Sequence, residues 1–249
     1  MLYQSNVFWE DQEDRNALQI ARNVLKCDVI DFQFDPLHFK EILPQIKQGQ
    51  FRGALDLAKS AGMQFSMFNA LNWLPALRRY CVNNDAYFLD MHHIVHEPHV
   101  LFSFKYGAFI RPVSPFKEFA GNVYNKERFV TEYNWLKQNN GNVYEMCVIA
   151  SPKNICAEWR CVFINNKFIS SSQYMKNGEP LVVQDTPNNV IAFAKEIASH
   201  NYFINKFDYV IDVGQVNNEL KLVEINAIET SSFYACNIEK IYKAMNYMY

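Results

Sequence analysis

The chain has 249 residues and a mass of 29.2 kDa, with 49% hydrophobic and 20% charged side chains, enough for one large or two small globular domains. Its formal charge of −2 and pI near 6.3 exclude a global field that would draw it to nucleic acid or to anionic lipid. Six cysteines without C-x-x-C spacing, an N-terminus unlike a leader and no long apolar run predict a reducing, cytoplasmic setting with no membrane span.

Between residues 13 and 25, Leu18, Ala21, Val24 and Leu25 recur at helical spacing. Residues 28–34 then alternate like a strand and stop at Asp35-Pro36, a β/α start. Residues 40–47 and 55–63 predict short helices, and 86–89 a buried strand. Glu97-Pro98 closes a His-rich stretch, so a boundary is placed there: an α/β domain over 1–98, then a strand-rich domain over 99–249. In the second domain, residues 101–104, 108–111, 118–124 and 143–150 predict strands and 126–138 a helix. Residues 157–164 and 167–173 flank Asn165-Asn166, a pair suited to a type I′ hairpin turn. Thr186 as N-cap and Pro187 at the first position predict a helix running to about residue 200. A final hairpin, 209–213 with 220–226, precedes a C-terminal helix from about Asn237.

Three polar clusters carry candidate chemistry. In the last hairpin, alternation puts Glu224 and Asn226 on one face of their strand. With a three-residue loop, Asn217-Asn218-Glu219, Asp212 lies opposite Glu224, while Ile211, Val213, Val223 and Ile225 share the core side. Opposed like charges destabilise a hairpin unless a cation lies between them, and oxygen-only ligands suit Mg²⁺; a half-solvated polar face is the plain alternative. The second cluster is Arg111 and Lys117 across a Ser/Pro loop, a guanidinium fork and an ammonium suited to phosphates. Gly121 there allows close backbone approach, and two surface cations are the alternative. In the third, Glu158 and Arg160 face Gln173 and Ser171 across the Asn-Asn turn. Glu158 suits ribose hydroxyls and Arg160 a phosphate or acyl-phosphate oxygen, against an ordinary cross-strand ion pair. His92 and His96 have the i,i+4 spacing of a helical metal pair, but Pro98 limits that helix and no Cys or acidic partner repeats the pattern. A linker or cleft wall is the expected role.

Taken in order, Arg111-Pro-x₄-Lys117, Glu158-Trp-Arg160 through Tyr174, and Tyr209-Val-Ile-Asp212 with Leu222-Val-Glu-Ile-Asn226 resemble the ATP-grasp superfamily, and most closely its clade with Arg then Lys in the N-terminal lobe. The resemblance spans about residues 100–235. It implies two α+β lobes clasping ATP, the first over about 99–145 and the second over about 146–249, behind the small α/β domain. It implies that Asp212, Glu224 and Asn226 hold Mg²⁺ and that Arg111 and Lys117 hold phosphates. It also implies that the strand with Met146, Val148 and Ala150 gives backbone hydrogen bonds to adenine. Lys117 and Arg160 are the expected catalytic pair. The implied activity is a ligase that forms an acyl phosphate from an unidentified carboxylate, for attack by an amine or other nucleophile. A kinase acting on a hydroxyl and a non-catalytic nucleotide-binding module are the rival readings. The segment after Asn226, Ala227-Ile-Glu-Thr-Ser-Ser232, departs from the small residues and Pro-Gly turn of many relatives.

Overall fold

The computed structural model describes residues 1–4, 12–25, 27–33, 35–97, 99, 107–204 and 208–245. The predicted strand over 101–104 lies outside them. The chain divides into two compact units, Met1–Gln64 with Ile155–Tyr249, and Phe65–Asn154.

In the N-terminal segment, β1 (Leu2–Gln4) pairs in parallel with β2 (Ile30–Phe32) on one side and β3 (Phe51–Arg52) on the other. Helix α1 (Gln12–Val24) joins the first two strands; of the predicted stripe Leu18, Ala21 and Leu25 just past the helix are buried and Val24 is partly buried, with Ala17 buried beside them. Strands β1 and β3 are too short for alternation to reveal.

In the second unit, β4 (Tyr87–Asp90), β5 (Ala108–Pro112), β6 (Asn122–Tyr124) and β7 (Met146–Ala150) form an antiparallel sheet in the order β4-β7-β5-β6. The helix over Lys126–Gln138 starts where Asn125 accepts a hydrogen bond from the Arg128 amide, a side-chain N-cap. Its Phe129, Tyr133 and Leu136 join Ile110, Tyr124, Cys147 and Ile149 in one core. The boundary expected at residue 98 falls inside this unit, because Tyr87–Asp90 hydrogen-bonds to Met146–Ala150.

The C-terminal segment holds an antiparallel sheet of β8 (Ala157–Ile164), β9 (Lys167–Lys176), β10 (Glu179–Val183), β11 (Tyr209–Val216) and β12 (Glu219–Ala227), ordered β10-β9-β8-β11-β12. Its three tight hairpins turn on Asn165-Asn166, Asn177-Gly178 and Asn217-Asn218, all six residues at positive φ. Such turns match the right-handed twist of paired strands, and Asn tolerates the left-handed region better than other non-glycine residues. One sheet face carries Val162, Ile164 and Val210 and is covered by α1 and the helix over Ile238–Met245 through Ala21, Leu25, Ile241, Tyr242 and Met245. On the other face Phe163, Tyr209 and Phe203 meet ring to ring, and the helix over Asn188–Ala198 buries Val190, Ala194 and Ile197. That helix has Pro187 as its N-cap and no side-chain cap; among the described residues the Thr186 hydroxyl, the expected cap, has no hydrogen-bond partner. All six cysteines are free thiols. Among the described residues no helix is long and apolar enough to cross a membrane.

Candidate functional site

The polar end of the large sheet gathers Glu158 and Arg160 on β8, Tyr174 on β9, Asp212 on β11, and Glu224 and Asn226 on β12. Asp212 pairs with Arg160 across one ladder and with Glu224 across the other. The predicted opposition of Asp212 and Glu224 is therefore present, but by a different route. The hairpin loop is the two residues Asn217-Asn218, with Val216 opposite Glu219, and a bulge past Asp212 takes up the extra residue, Val223. Leu222 then faces Val213 and is fully buried, the place expected for Val223, which is only partly buried. Gly214 makes room for the bulge, since a Cβ there would lie 2.7 Å from Val223 Cγ2.

Two further bulges correct the β8–β9 register. Arg160 faces Ser172 rather than Ser171, and Glu158 faces Met175 rather than Gln173, because Ile169 and Tyr174 are each an extra residue on β9. The second bulge brings the Tyr174 hydroxyl to Glu158, donating to Oε2 at 2.6 Å.

Arg160 donates from Nε to Asp212 Oδ1 at 2.9 Å and from Nη2 to Oδ2 at 2.8 Å, a bidentate pair with both side chains buried. Its Nη1 donates to the Ser232 carbonyl at 2.8 Å. The guanidinium lies 4.9 Å from the Tyr234 ring and 5.7 Å from the Tyr174 ring, and those rings stack 4.8 Å apart. Asn226 Nδ2 donates to Asp212 Oδ2 at 3.2 Å and to Glu224 Oε2 at 3.0 Å. The amide thus stands where a cation would relieve the two carboxylates, and rotating it by half a turn presents Oδ1 as a ligand. Among the described residues no group of three or more His, Cys, Asp or Glu side chains could hold a metal. A metal at Asp212 and Glu224 would take the Asn226 oxygen as its third protein ligand, a hard-oxygen set that fits Mg²⁺.

Burial works against the charged Arg160, yet the Asp212 carboxylate and its hydrogen bonds hold the arginine pKa above its ordinary value. Burial raises the Glu158 carboxyl, the Tyr174 hydrogen bond offsets part of that, and the charges of Asp212 and Glu224 push it further up. Tyr174 is raised well above the usual phenol value by burial first, then by Asp212 and Glu158. Tyr234, a non-glycine residue at φ +50, was invisible in the sequence, as was the Ser232 carbonyl; both lie on an irregular loop. Tyr234 also lines an open pocket of about 360 Å³ with residues of α1 and of the turn before the last helix.

In the other unit Arg111 stands on β5 opposite Val148, and its Nε donates to the Pro112 carbonyl at 3.2 Å. Lys117 is exposed and at φ +50, on a turn where its amide donates to the Ser114 carbonyl. Gly121 serves packing against Arg111: a Cβ there would be 3.0 Å from Arg111 Cβ and 3.3 Å from the Phe109 ring. Met146, Val148 and Ala150 lie in β7 between β4 and β5. Val148 has ladder partners on both sides, whereas Ala150 has one only in β5. His92 Nδ1 meets the Tyr133 hydroxyl at 2.9 Å, docking its helix on the Tyr133 helix, and His96 Nδ1 meets the His92 carbonyl at 2.8 Å within its own helix.

A family model described as an ATP-grasp domain, R-2-K clade family 2, matches residues 85–244, more than half of the chain. D-alanine–D-alanine ligase from Bacillus anthracis aligns over 99% of this chain and 94% of its own, at 11% identity and a TM-score of 0.56. Its complex with ATP aligns at a TM-score of 0.54 and 11% identity, over 100% and 95% of the two chains. A RimK domain ATP-grasp protein from Sphaerobacter thermophilus DSM 20745 aligns at 0.54 and 10% identity over 98% and 97%. The ATP-grasp ligase PsnB, complexed with a minimal precursor, aligns at 0.54 and 8% identity over 100% and 98%. At these identities the likeness is one of fold. No curated protein matches the chain in sequence.

Proposed function

Because the chain belongs to the R-2-K clade of the ATP-grasp family, we propose that it is an ATP- and Mg²⁺-dependent ligase that activates a carboxylate for attack by an amine or another nucleophile. The observation that carries this reading is the direct opposition of Asp212 and Glu224 with Asn226 bridging both. In this reading Asp212, Glu224 and Asn226 hold Mg²⁺, which when bound neutralises charge on the outer phosphates. Arg111 and Lys117 hold phosphate oxygens. A carboxylate oxygen of the substrate attacks the γ-phosphorus, ADP leaves, and the nucleophile then displaces phosphate from the acyl carbon.

Catalysis of that kind rests on positioning and charge neutralisation rather than on a nucleophilic side chain. Arg160 commits three of its five N–H groups to Asp212 and Ser232, leaving two for a phosphoryl or acyl-phosphate oxygen. Glu158, paired with Tyr174, is the candidate partner for ribose hydroxyls.

The test is product identity over pooled carboxylate and amine substrates. ADP and phosphate release that needs Mg²⁺ and both substrates, with a hydroxamate formed on adding hydroxylamine, supports the ligase. AMP and pyrophosphate would overturn it, and a stable phosphorylated hydroxyl without acyl product would select a kinase.

A further inference from the structure

Arg52, at the end of β3, is only 4% exposed. Among the described residues it has no carboxylate partner, and its Nε is buried without a hydrogen bond. Burying an unpaired charge opposes folding by several kcal/mol, and an apolar side chain would fill this place at lower cost. What the guanidinium does touch is the loop that leaves the Asp212–Glu224 hairpin. Its Nη1 donates to the Ile228 carbonyl at 2.5 Å, and its Cζ lies 4.0 Å from the centroid of the Phe233 ring.

Arg160 treats the same loop in the same way, with a hydrogen bond to the Ser232 carbonyl and the Tyr234 ring against its guanidinium. Two buried arginines therefore grip one loop, each at a carbonyl and at one of the adjacent rings Phe233 and Tyr234. The other fasteners come from the same N-terminal turn as Arg52. The Gly53 amide donates to the Glu229 carbonyl, and Gln48 Nε2 and the Gly49 amide donate to Glu229 Oε1.

Both contacts of Arg52 lead to the candidate metal ligands in a few bonds. Ile228 is two residues past Asn226. Phe233 follows Ser232, whose carbonyl orients Arg160, which in turn fixes both oxygens of Asp212. We infer that Arg52 is a positioning residue for the metal site: through Ile228 it sets the end of β12 that carries Asn226, and through Phe233 it sets the Arg160–Asp212 pair. This rests on the proposed Mg²⁺–ATP reading. It assigns the N-terminal segment a part in metal binding that its own residues do not perform by contact.

The experiment compares the wild-type chain with Arg52→Met and Arg52→Lys. The Mg²⁺ concentration at which ATP binding is half-maximal is measured by calorimetry, and hydrogen exchange is followed over residues 228–234. Arg52→Met should raise the Mg²⁺ midpoint by about tenfold or more, the range for loss of an outer-shell partner of a metal ligand, and speed exchange in the loop. ATP binding without Mg²⁺ should not change. Arg52→Lys keeps the charge and one donor for Ile228 but loses the guanidinium over the Phe233 ring, so its midpoint should fall between the two. A lowered melting temperature with an unchanged Mg²⁺ midpoint would show a merely structural arginine and overturn the inference. If Arg52→Met does not fold, an Arg52→Lys midpoint equal to wild type overturns it. A wild-type chain that binds no Mg²⁺–ATP would overturn the nucleotide reading itself, which separates the two failures.

Discussion

Replacing Arg160 by Met removes the cation that the carboxylate cluster touches. Asp212 is 2% exposed, both of its oxygens accept from Arg160, and its cross-strand neighbour on the other side is Glu224. Removing one partner of a buried pair typically costs about 3–5 kcal/mol, because the remaining charge is left uncompensated. The opposed carboxylates add cross-strand repulsion, so Arg160→Met should lie at the upper end of that range by urea denaturation in chelator. Adding millimolar Mg²⁺ should return a substantial part of the loss, since a divalent ion can take over the neutralisation. Asp212→Ala should be destabilised as well, by the orphaned guanidinium, but should not respond to Mg²⁺. The double variant should be more stable than the sum of the two losses, because neither charge is then left alone. Two results would refute the reasoning. If Arg160→Met loses less than about 1 kcal/mol, the pair does not behave as a buried charge contact. If its stability ignores Mg²⁺, the carboxylates do not form a cation site.

Arg111→Ala and Lys117→Ala should each weaken ATP binding by about 1.5–3 kcal/mol, the loss of one charge-assisted contact, with far less effect on adenosine; equal losses for both ligands by calorimetry would count against phosphate contact. Glu224→Gln keeps shape but removes a charge, so single-turnover ADP formation should fall much further than nucleotide affinity, and a parallel loss of both would point to simple misfolding of the face. Burial raises the Glu229 carboxyl above its ordinary 4.5. The folded chain therefore holds that proton longer than the unfolded one, and stability is lost as pH rises from about 4.5 through the folded value. Glu229→Gln should be increasingly favoured over wild type across that window in urea midpoints, and a gap that does not vary with pH would contradict the assignment.

The helix over Lys126–Gln138 and the Asn165-Asn166 turn were legible because helical periodicity and positive-φ preference act on residues close in sequence, whereas the Thr186 cap and the three-residue loop at Asn217 were not what the chain adopts. The Asp212–Glu224 register was legible in outcome but not in cause. Alternation required both carboxylates on one face, and a longer loop or a bulge satisfies that requirement equally well; only packing of Leu222 against the core decides between them. Strand β10 escaped notice because Glu179-Pro180 reads as a break, yet Pro is tolerated on the outer strand it occupies. Arg52 and Tyr234 lie far in sequence from the residues they brace. Nothing local marks a buried arginine that bonds a carbonyl 176 residues away.

The bulge at Val223 has a further effect outside the site. Strand β12 is an outer strand of its sheet, nine residues long, and an unbroken outer strand of that length offers a row of unpaired amides and carbonyls to any other extended chain. The extra residue interrupts the spacing of that row midway and increases its local twist. Lys221 and Glu219, ion-paired at 2.8 Å near the hairpin end, add charge to the same margin. Straightening the strand by deleting Val223 would keep Asp212 facing Glu224 with a two-residue loop, yet would leave a regular margin on which a second molecule could add a strand. By this reasoning a Val223 deletion should self-associate at lower concentration than the wild-type chain in light scattering.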